Sequence, residues 1–272
     1  MVDNSIKNLL SYFDFTLVAK CGSGQRKYGV EKGGEFICDA LNIKPSLVLE
    51  KTLFNNIDLE FHNGYELISR SLDSHTYNYP NTKTLLLGGD HSLGISSIDF
   101  MLEKYKDKLR VLWIDAHADI NDHITSITGN LHGMPLGYHH ISRTDKPRWR
   151  KNQYRLTSNQ LYYFGIRDLD PAEIKLIEKE NIGYSNSVDD KLKKFIDESE
   201  VLMISFDVDA LDPTFLDSTG CLAPNGLKPF DVRFIIDYAI KTEKLKHLDI
   251  MEFNPELGNS DKSINCVRTI FL

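Results

Sequence analysis

The stretch Val111-Leu112-Trp113-Ile114-Asp115-Ala116-His117-Ala118-Asp119-Ile120-Asn121-Asp122 (VLWIDAHADIND) reads as a buried strand that turns ionic at its end. Four large apolar residues run into Asp115, His117 and Asp119, spaced by two. In an extended chain, residues i, i+2 and i+4 point to one side. If strand geometry persists past Ile114, the three ionisable side chains converge on one point.

Working outward, short apolar runs recur with helix-like segments between them. Strands are expected at Phe15–Ala19, Leu47–Leu49, Thr84–Leu87, Arg110–Ile114, Leu161–Phe164, Val201–Phe206 and Lys246–Ile250. Helices are expected at Gly33–Leu41, Ile95–Tyr105, Pro171–Glu180, Asp189–Glu198 and Pro229–Thr242. Ala172, Leu176 and Ile177 show the apolar spacing of an amphipathic helix, and Pro171 and Pro229 sit where a first helical turn tolerates proline. Strands alternating with helices predict a parallel sheet covered on both faces. In such sheets the ligand site lies outside the carboxyl ends of the strands.

That rule bears directly on the polar clusters. GGDHS follows TLLL, DAHAD follows VLWI, and DVDALDP follows VLMISF, so three segments deliver ionisable groups to one edge. Asp207 and Asp209 share a side by the same two-residue period. His91 follows a Gly-Gly pair that permits close backbone approach. The four carboxylates (Asp115, Asp119, Asp207, Asp209) would repel, and desolvating each costs several kcal/mol unless paired. Within these motifs the only candidate cations are His91 and His117, so metal is the expected counter-charge. The set exceeds what one tetrahedral zinc requires. It suits two divalent ions sharing carboxylates, and its oxygen-rich character favours manganese. Two such ions can hold a bridging water and lower its pKa toward neutrality, giving hydroxide. Taken alone, DxD could be a turn or a single magnesium site, and GGDHS could be a helix cap through Asp90 or Ser92. Three such motifs at strand ends argue for the metal.

Composition narrows the rest. The 272-residue chain is 41% hydrophobic and 26% charged, ordinary for one large soluble domain, 1–272. A net charge of -7 argues against a general nucleic-acid or anionic-membrane binder. The four cysteines (Cys21, Cys38, Cys221, Cys266) are scattered and form no CxxC pair, which suits a reducing cytosol. No secretory signal or membrane-spanning run is evident, so a cytoplasmic location is expected. One segment, His139–Leu156, is rich in Arg and Lys. It reads as a solvated loop, an oligomer contact or an anion patch.

GGDHSLG, DAHADIND, TGNLHGMP, SFDVDALDP and LDIMEFNPELG, in that order, closely resemble the arginases among the ureohydrolases, and GVEKGGEFI adds an earlier match. The resemblance implies a three-layer α/β/α sandwich with a mostly parallel central sheet and two Mn2+ per subunit. His91 and Asp119 would hold one ion, His117 and Asp209 the other, with Asp115 and Asp207 bridging. It also implies a homo-oligomer, a trimer or hexamer, and hydrolysis of the guanidinium of L-arginine to L-ornithine and urea. Glu252 would bind the guanidinium, Asp119 would carry a proton to the departing nitrogen, and His132 would exchange protons with solvent. Asn121, Thr128 and Asn130 would offer donors to the α-carboxylate. Asp170, with Glu173 near it, would hold the α-ammonium. Agmatine or another guanidino compound is the alternative substrate, and a metal-binding but catalytically weak scaffold is the alternative role. A metallophosphoesterase fits poorly, because GGDH precedes DAH and no late GHxH is present. One departure stands out: Cys221 replaces a threonine whose hydroxyl lies by the reacting centre. A thiol donates more weakly, which bears on turnover and suggests sensitivity to oxidation.

Overall fold

Trp113 and its neighbours lie at the centre of an eight-stranded sheet. The strands are β1 (Phe15–Ala19), β2 (Leu47–Leu49), β3 (Thr84–Leu87), β4 (Leu109–Ile114), β5 (Leu161–Phe164), β6 (Gly183–Ser185), β7 (Val201–Asp207) and β8 (Leu245–Met251). Their order is β2-β1-β3-β8-β7-β4-β5-β6. Every pairing between these strands is parallel, a stricter arrangement than the mostly parallel sheet expected. The computed structural model describes residues 8–55, 63–140, 142 and 153–272. Most of the basic segment, residues 141 and 143–152, lies outside the described residues.

Seven helices flank the sheet among the described residues: α1 (Gly33–Leu41), α2 (Asn63–Asn78), α3 (Gly94–Tyr105), α4 (Pro171–Glu180), α5 (Asp190–Asp197), α6 (Pro229–Lys241) and α7 (Ser260–Phe271). The two-residue period of the strands divides the apolar residues between two layers. Leu112 and Ile114 of β4 pack with Ile37, Leu192, Ile235 and Val267, from α1, α5, α6 and α7. Val111 and Trp113 pack with Ile68, Ile98 and Leu176, from α2, α3 and α4. The result is the three-layer sandwich. A sheet buried on both faces needs apolar residues at successive positions, which is why VLWI and VLMI read as unbroken runs. β6, α2 and α7 were not expected from the sequence. No helix among the described residues is long and apolar enough to cross a membrane.

The four adjacent strands β3, β8, β7 and β4 form the middle of the sheet. Their carboxyl ends deliver His91, Glu252, Asp207 with Asp209, and Asp115 with His117 and Asp119 to one edge.

Candidate metal centre

Asp115 is the hinge of the cluster. Its Oδ2 lies 3.0 Å from His91 Nδ1 and its Oδ1 3.3 Å from His117 Nδ1. Two groupings of potential ligand atoms, each within 4.8 Å of one another, therefore share it: His91, Asp115 and Asp119, and Asp115, His117 and Asp209. Asp207 Oδ2 is 3.0 Å from His91 Nδ1, Asp119 Oδ2 is 3.3 Å from it, and Asp209 Oδ2 is 3.2 Å from His117 Nδ1. All six predicted ligands thus meet at the sheet edge.

Strand alternation is not what brings them there. β4 ends at Ile114, and Asp119 takes a left-handed φ of 49°. Asp207 closes β7, and Asp209 stands in a short 3-10 turn, Val208–Ala210. The turns are fixed by the carboxylates themselves. The His117 N–H donates to Asp115 Oδ1 at 2.7 Å, the Asp209 N–H to Asp207 Oδ1 at 2.8 Å, and the Ala116 N–H to Asp209 Oδ1 at 3.3 Å.

The surrounding shell orients the imidazole of His91. Its ring stacks on Trp113 at 4.1 Å, and the Trp113 indole N–H donates to Asp115 Oδ2 at 2.9 Å. Ser205 Oγ donates to the buried Asp249 Oδ2 at 2.9 Å and lies 2.9 Å from His91 Nε2. Nε2–H is then the donor, which turns Nδ1 toward the carboxylates; once Nδ1 gives up its proton, this is the arrangement a ligating histidine requires. Asp90, beside His91, caps the following turn through the Ser92 N–H.

Electrostatics show how unbalanced the cluster is. Burial and the charge of Asp115 push Asp119 well above the usual carboxylate range, and burial with Asp209 does the same to Asp207. Burial also raises Asp209, against the pull of His117. Burial would raise Asp115 too, but hydrogen bonds with His117 and His91 hold it well below the usual range. Burial pulls His91 down, yet Asp115 outweighs it and lifts the imidazole to about 9. Four carboxylates face two imidazoles, so the histidines cannot neutralise the site. The donor set, oxygen-rich and shared through Asp115, fits two divalent cations.

A cavity of about 320 Å³ opens over this cluster. His117, Asp119, Asp207 and Asp209 line one end with His132 and Cys221, while Asn121, Thr128, Asp170 and Glu173 line the rest. Asp168 and Ser126 also face it, neither of them singled out from the sequence. Asn130 and Glu252 are not among the residues lining this cavity; Asn130 stands before the 3-10 turn that carries His132, and Glu252 lies behind His132, hydrogen-bonded to it.

Glu252, with a left-handed φ of 66°, is 3% exposed. Its Oε1 is 3.0 Å from His132 Nδ1 and accepts the His91 N–H at 2.9 Å. Burial raises its carboxyl, but the His132 contact dominates and lowers it; His132 is raised in turn despite its burial. Gln25 Nε2 donates to Glu252 Oε2 at 2.5 Å, a contact sequence reasoning missed because Gln25 lies outside the strand-end motifs.

At the other end, Asp170 caps α4. Its Oδ1 accepts the Ala172 and Glu173 N–H groups, and the Asp170 N–H is 3.2 Å from Glu173 Oε2. The Asn121 amide donates one of its two N–H groups to Asp170 Oδ2 at 2.7 Å, and its Oδ1 is buried without a protein partner. Asn121 lines the cavity, as expected of it. Burial lifts Glu173 to about 7. Burial, with Glu252 and Asp209 nearby, pushes the Cys221 thiol up to about 12, which keeps it protonated and counts against the oxidation sensitivity anticipated.

The sequence profile of the arginase family matches residues 16–271. This chain belongs to the arginase family. Over 197 residues it is 36% identical to Arginase-1 of Sus scrofa, a span covering 66% of this chain and 61% of that protein. Its fold matches the arginase of Entamoeba histolytica, solved with L-ornithine, at a TM-score of 0.77 and 26% identity over 94% of this chain and 97% of that one. The agmatine ureohydrolase of Thermoplasma volcanium shares the fold at a TM-score of 0.70 and 17% identity, covering 99% of this chain and 92% of that one.

Proposed function

We propose that this arginase-family chain folds as one domain, 1–272, and hydrolyses the guanidinium of L-arginine to L-ornithine and urea with two Mn2+ per subunit. The observation that carries the reading is the shared Asp115, which joins two ligand groupings at one end of a cavity. His91 and Asp119 would hold one ion and His117 and Asp209 the other, with Asp115 and Asp207 available to both. When bound, the ions would lower the pKa of a water and make it nucleophilic. Glu252 anchors the planar guanidinium by a charge-assisted pair, in competition with the Gln25 amide that donates to its Oε2. Asp119, which lines the cavity beside the other ligands, carries a proton to the departing nitrogen. His132, hydrogen-bonded to Glu252, exchanges protons with solvent at its imidazole.

For the head group, Asp170 and Glu173 receive the α-ammonium. The Thr128 hydroxyl donates to the α-carboxylate, and Asn121 orders Asp170. A cytoplasmic homo-oligomer, a trimer or hexamer, completes the reading. Agmatine is the second reading, favoured by one observation. Among the described residues lining the cavity there is no Lys or Arg, whereas Asp168, Asp170 and Glu173 are present. A site rich in acceptors suits a head group that is only cationic. Urea release from arginine, agmatine and 4-guanidinobutyrate after manganese loading decides between them. Preference for agmatine overturns the arginine assignment. Silence on all three with two ions bound leaves a metal-binding scaffold.

A further inference from the structure

Beyond the end of β7, the Asp209 turn and the loop that carries Cys221, Ala223 and Pro224 lie outside the named strands, linked by an isolated parallel bridge between Leu211 and Leu227. Both converge on Arg167, just beyond β5. Its guanidinium carries five N–H donors in a rigid fork. Nε donates to Pro224 O at 3.0 Å, and Nη1 to Gly165 O at 2.9 Å and Ala210 O at 3.1 Å. Nη2 donates to Asp209 O at 2.9 Å, Ala223 O at 2.7 Å and, more weakly, Leu211 O at 3.4 Å. The backbone of the same residue faces the third segment: the N–H groups of Arg167 and Asp168 reach Ala116 O at 2.8 and 3.0 Å. The packing is close enough that a Cβ on Gly226 would lie 2.6 Å from Nη2.

We infer that Arg167 is a positioning residue, locking the Asp209 turn and the Ala223–Pro224 loop against the Asp115–His117 segment. The inference rests on the dinuclear reading above. Asp209 leaves the sheet two residues after β7 ends, so β-ladder hydrogen bonds do not fix its carbonyl. The guanidinium reaches three consecutive carbonyls, Asp209 to Leu211; Ala210 O is shared with the Leu227 N–H at 2.8 Å, and Asp209 O is held by Arg167. The same group ties down Ala223, two residues from Cys221 in the cavity wall. A point-charge ammonium cannot reproduce this, because its three donors lack the planar fork. His91 and Asp119, on the far side of Asp115, make no hydrogen bond to Arg167, so the two ion sites should respond unequally.

The experiment is an Mn2+ titration followed by electron paramagnetic resonance, on wild type, Arg167→Lys, Arg167→Gln and Asp209→Asn. Binding at the outer-shell positions of metal sites responds by roughly tenfold or more to such changes. One ion should therefore weaken by about that factor in both Arg167 variants, with the other within about twofold of wild type. Adding Arg167→Gln to Asp209→Asn should produce no further loss, since both act on the same ion. Circular dichroism checks the fold, and if Arg167→Gln fails to fold, Arg167→Lys, which keeps the charge, carries the test. Two ions bound as in wild type by Arg167→Lys, or equal weakening of both, overturns the inference. A wild-type chain that binds fewer than two ions overturns the dinuclear reading itself, and this inference with it.

Discussion

Glu252→Gln removes one charge while preserving the shape of a residue on which three donors converge. In the folded chain its carboxylate faces the His91 N–H at 2.9 Å, the Gln25 amide at 2.5 Å and His132 Nδ1 at 3.0 Å. A neutral amide offers a single oxygen, so its own NH2 must point at one or more of those donors. Removing one partner of a buried, hydrogen-bonded charge pair costs about 3–5 kcal/mol. The substrate guanidinium would lose the same partner. Taking the lower bound, about 3 kcal/mol of lost transition-state binding corresponds to roughly a hundredfold fall in kcat/KM. The His132 imidazole should also titrate at lower pH, because Glu252 is the main group raising it against burial. Steady-state urea release gives the first quantity, and NMR titration of the His132 ring protons gives the second. A kcat/KM within tenfold of wild type, or an unmoved His132, refutes the assignment of Glu252 as the guanidinium anchor.

Two further outcomes follow from the cavity. Cys221→Thr should raise kcat by about two- to fivefold, because a hydroxyl is a better donor than a thiol by roughly 0.5–1 kcal/mol; Cys221→Ala, measured in the same urea assay, should give no gain. Glu173→Gln should alter the pH dependence of stability. Burial lifts the folded carboxyl from 4.5 to about 7, so between those values the folded state binds the extra proton and stability falls as pH rises. The variant, whose amide oxygen can still accept the Asp170 N–H, should therefore gain on wild type in thermal melting between pH 5 and pH 8, by up to about 3 kcal/mol. A melting difference that stays constant across that range counts against the buried, protonated carboxyl.

Much of the fold was legible because the parallel sheet is buried on both faces and its strands are short apolar runs bounded by polar motifs. Seven strands follow from that signal alone: Phe15–Ala19, Leu47–Leu49, Thr84–Leu87 and Leu161–Phe164 with the same bounds, and Leu109–Ile114, Val201–Asp207 and Leu245–Met251 within a residue at each end. β6 did not, because Gly183–Ser185 is a three-residue edge strand with a glycine and a serine. The misses at α2 and α7 have a different cause. Their buried residues, Tyr65, Ile68 and Leu72, and Ile264, Val267 and Ile270, have helical spacing but are diluted by Ser, Asn, Asp and Arg on the outer faces. Arg167 was invisible for a deeper reason. Its partners are main-chain carbonyls from three segments, and carbonyls carry no sequence signal.

The metal ligands show how a correct residue set can come from an incomplete geometric argument. The two-residue period predicted that Asp115, His117 and Asp119 share a side through continued extension, yet the strand stops at Ile114 and Asp119 is left-handed. What the DxH and DxD spacings share is a different local device. In each, a carboxylate accepts the backbone N–H two residues on, Asp115 from His117 and Asp207 from Asp209. Asp90 and Ser92 repeat it beside His91, with the Ser92 N–H 3.0 Å from Asp90 Oδ1. Such turns leave one carboxylate oxygen to fix the loop and free the other for the cluster, as Asp115 does with His117 N–H on Oδ1 and His91 on Oδ2. A ligand held by its own loop costs less to preorganise than one held only by packing. The spacing by two is therefore a signature of self-capped turns at strand ends, and the convergence of His91, His117 and four aspartates follows from three such turns at the carboxyl ends of β3, β7 and β4, among the four middle strands.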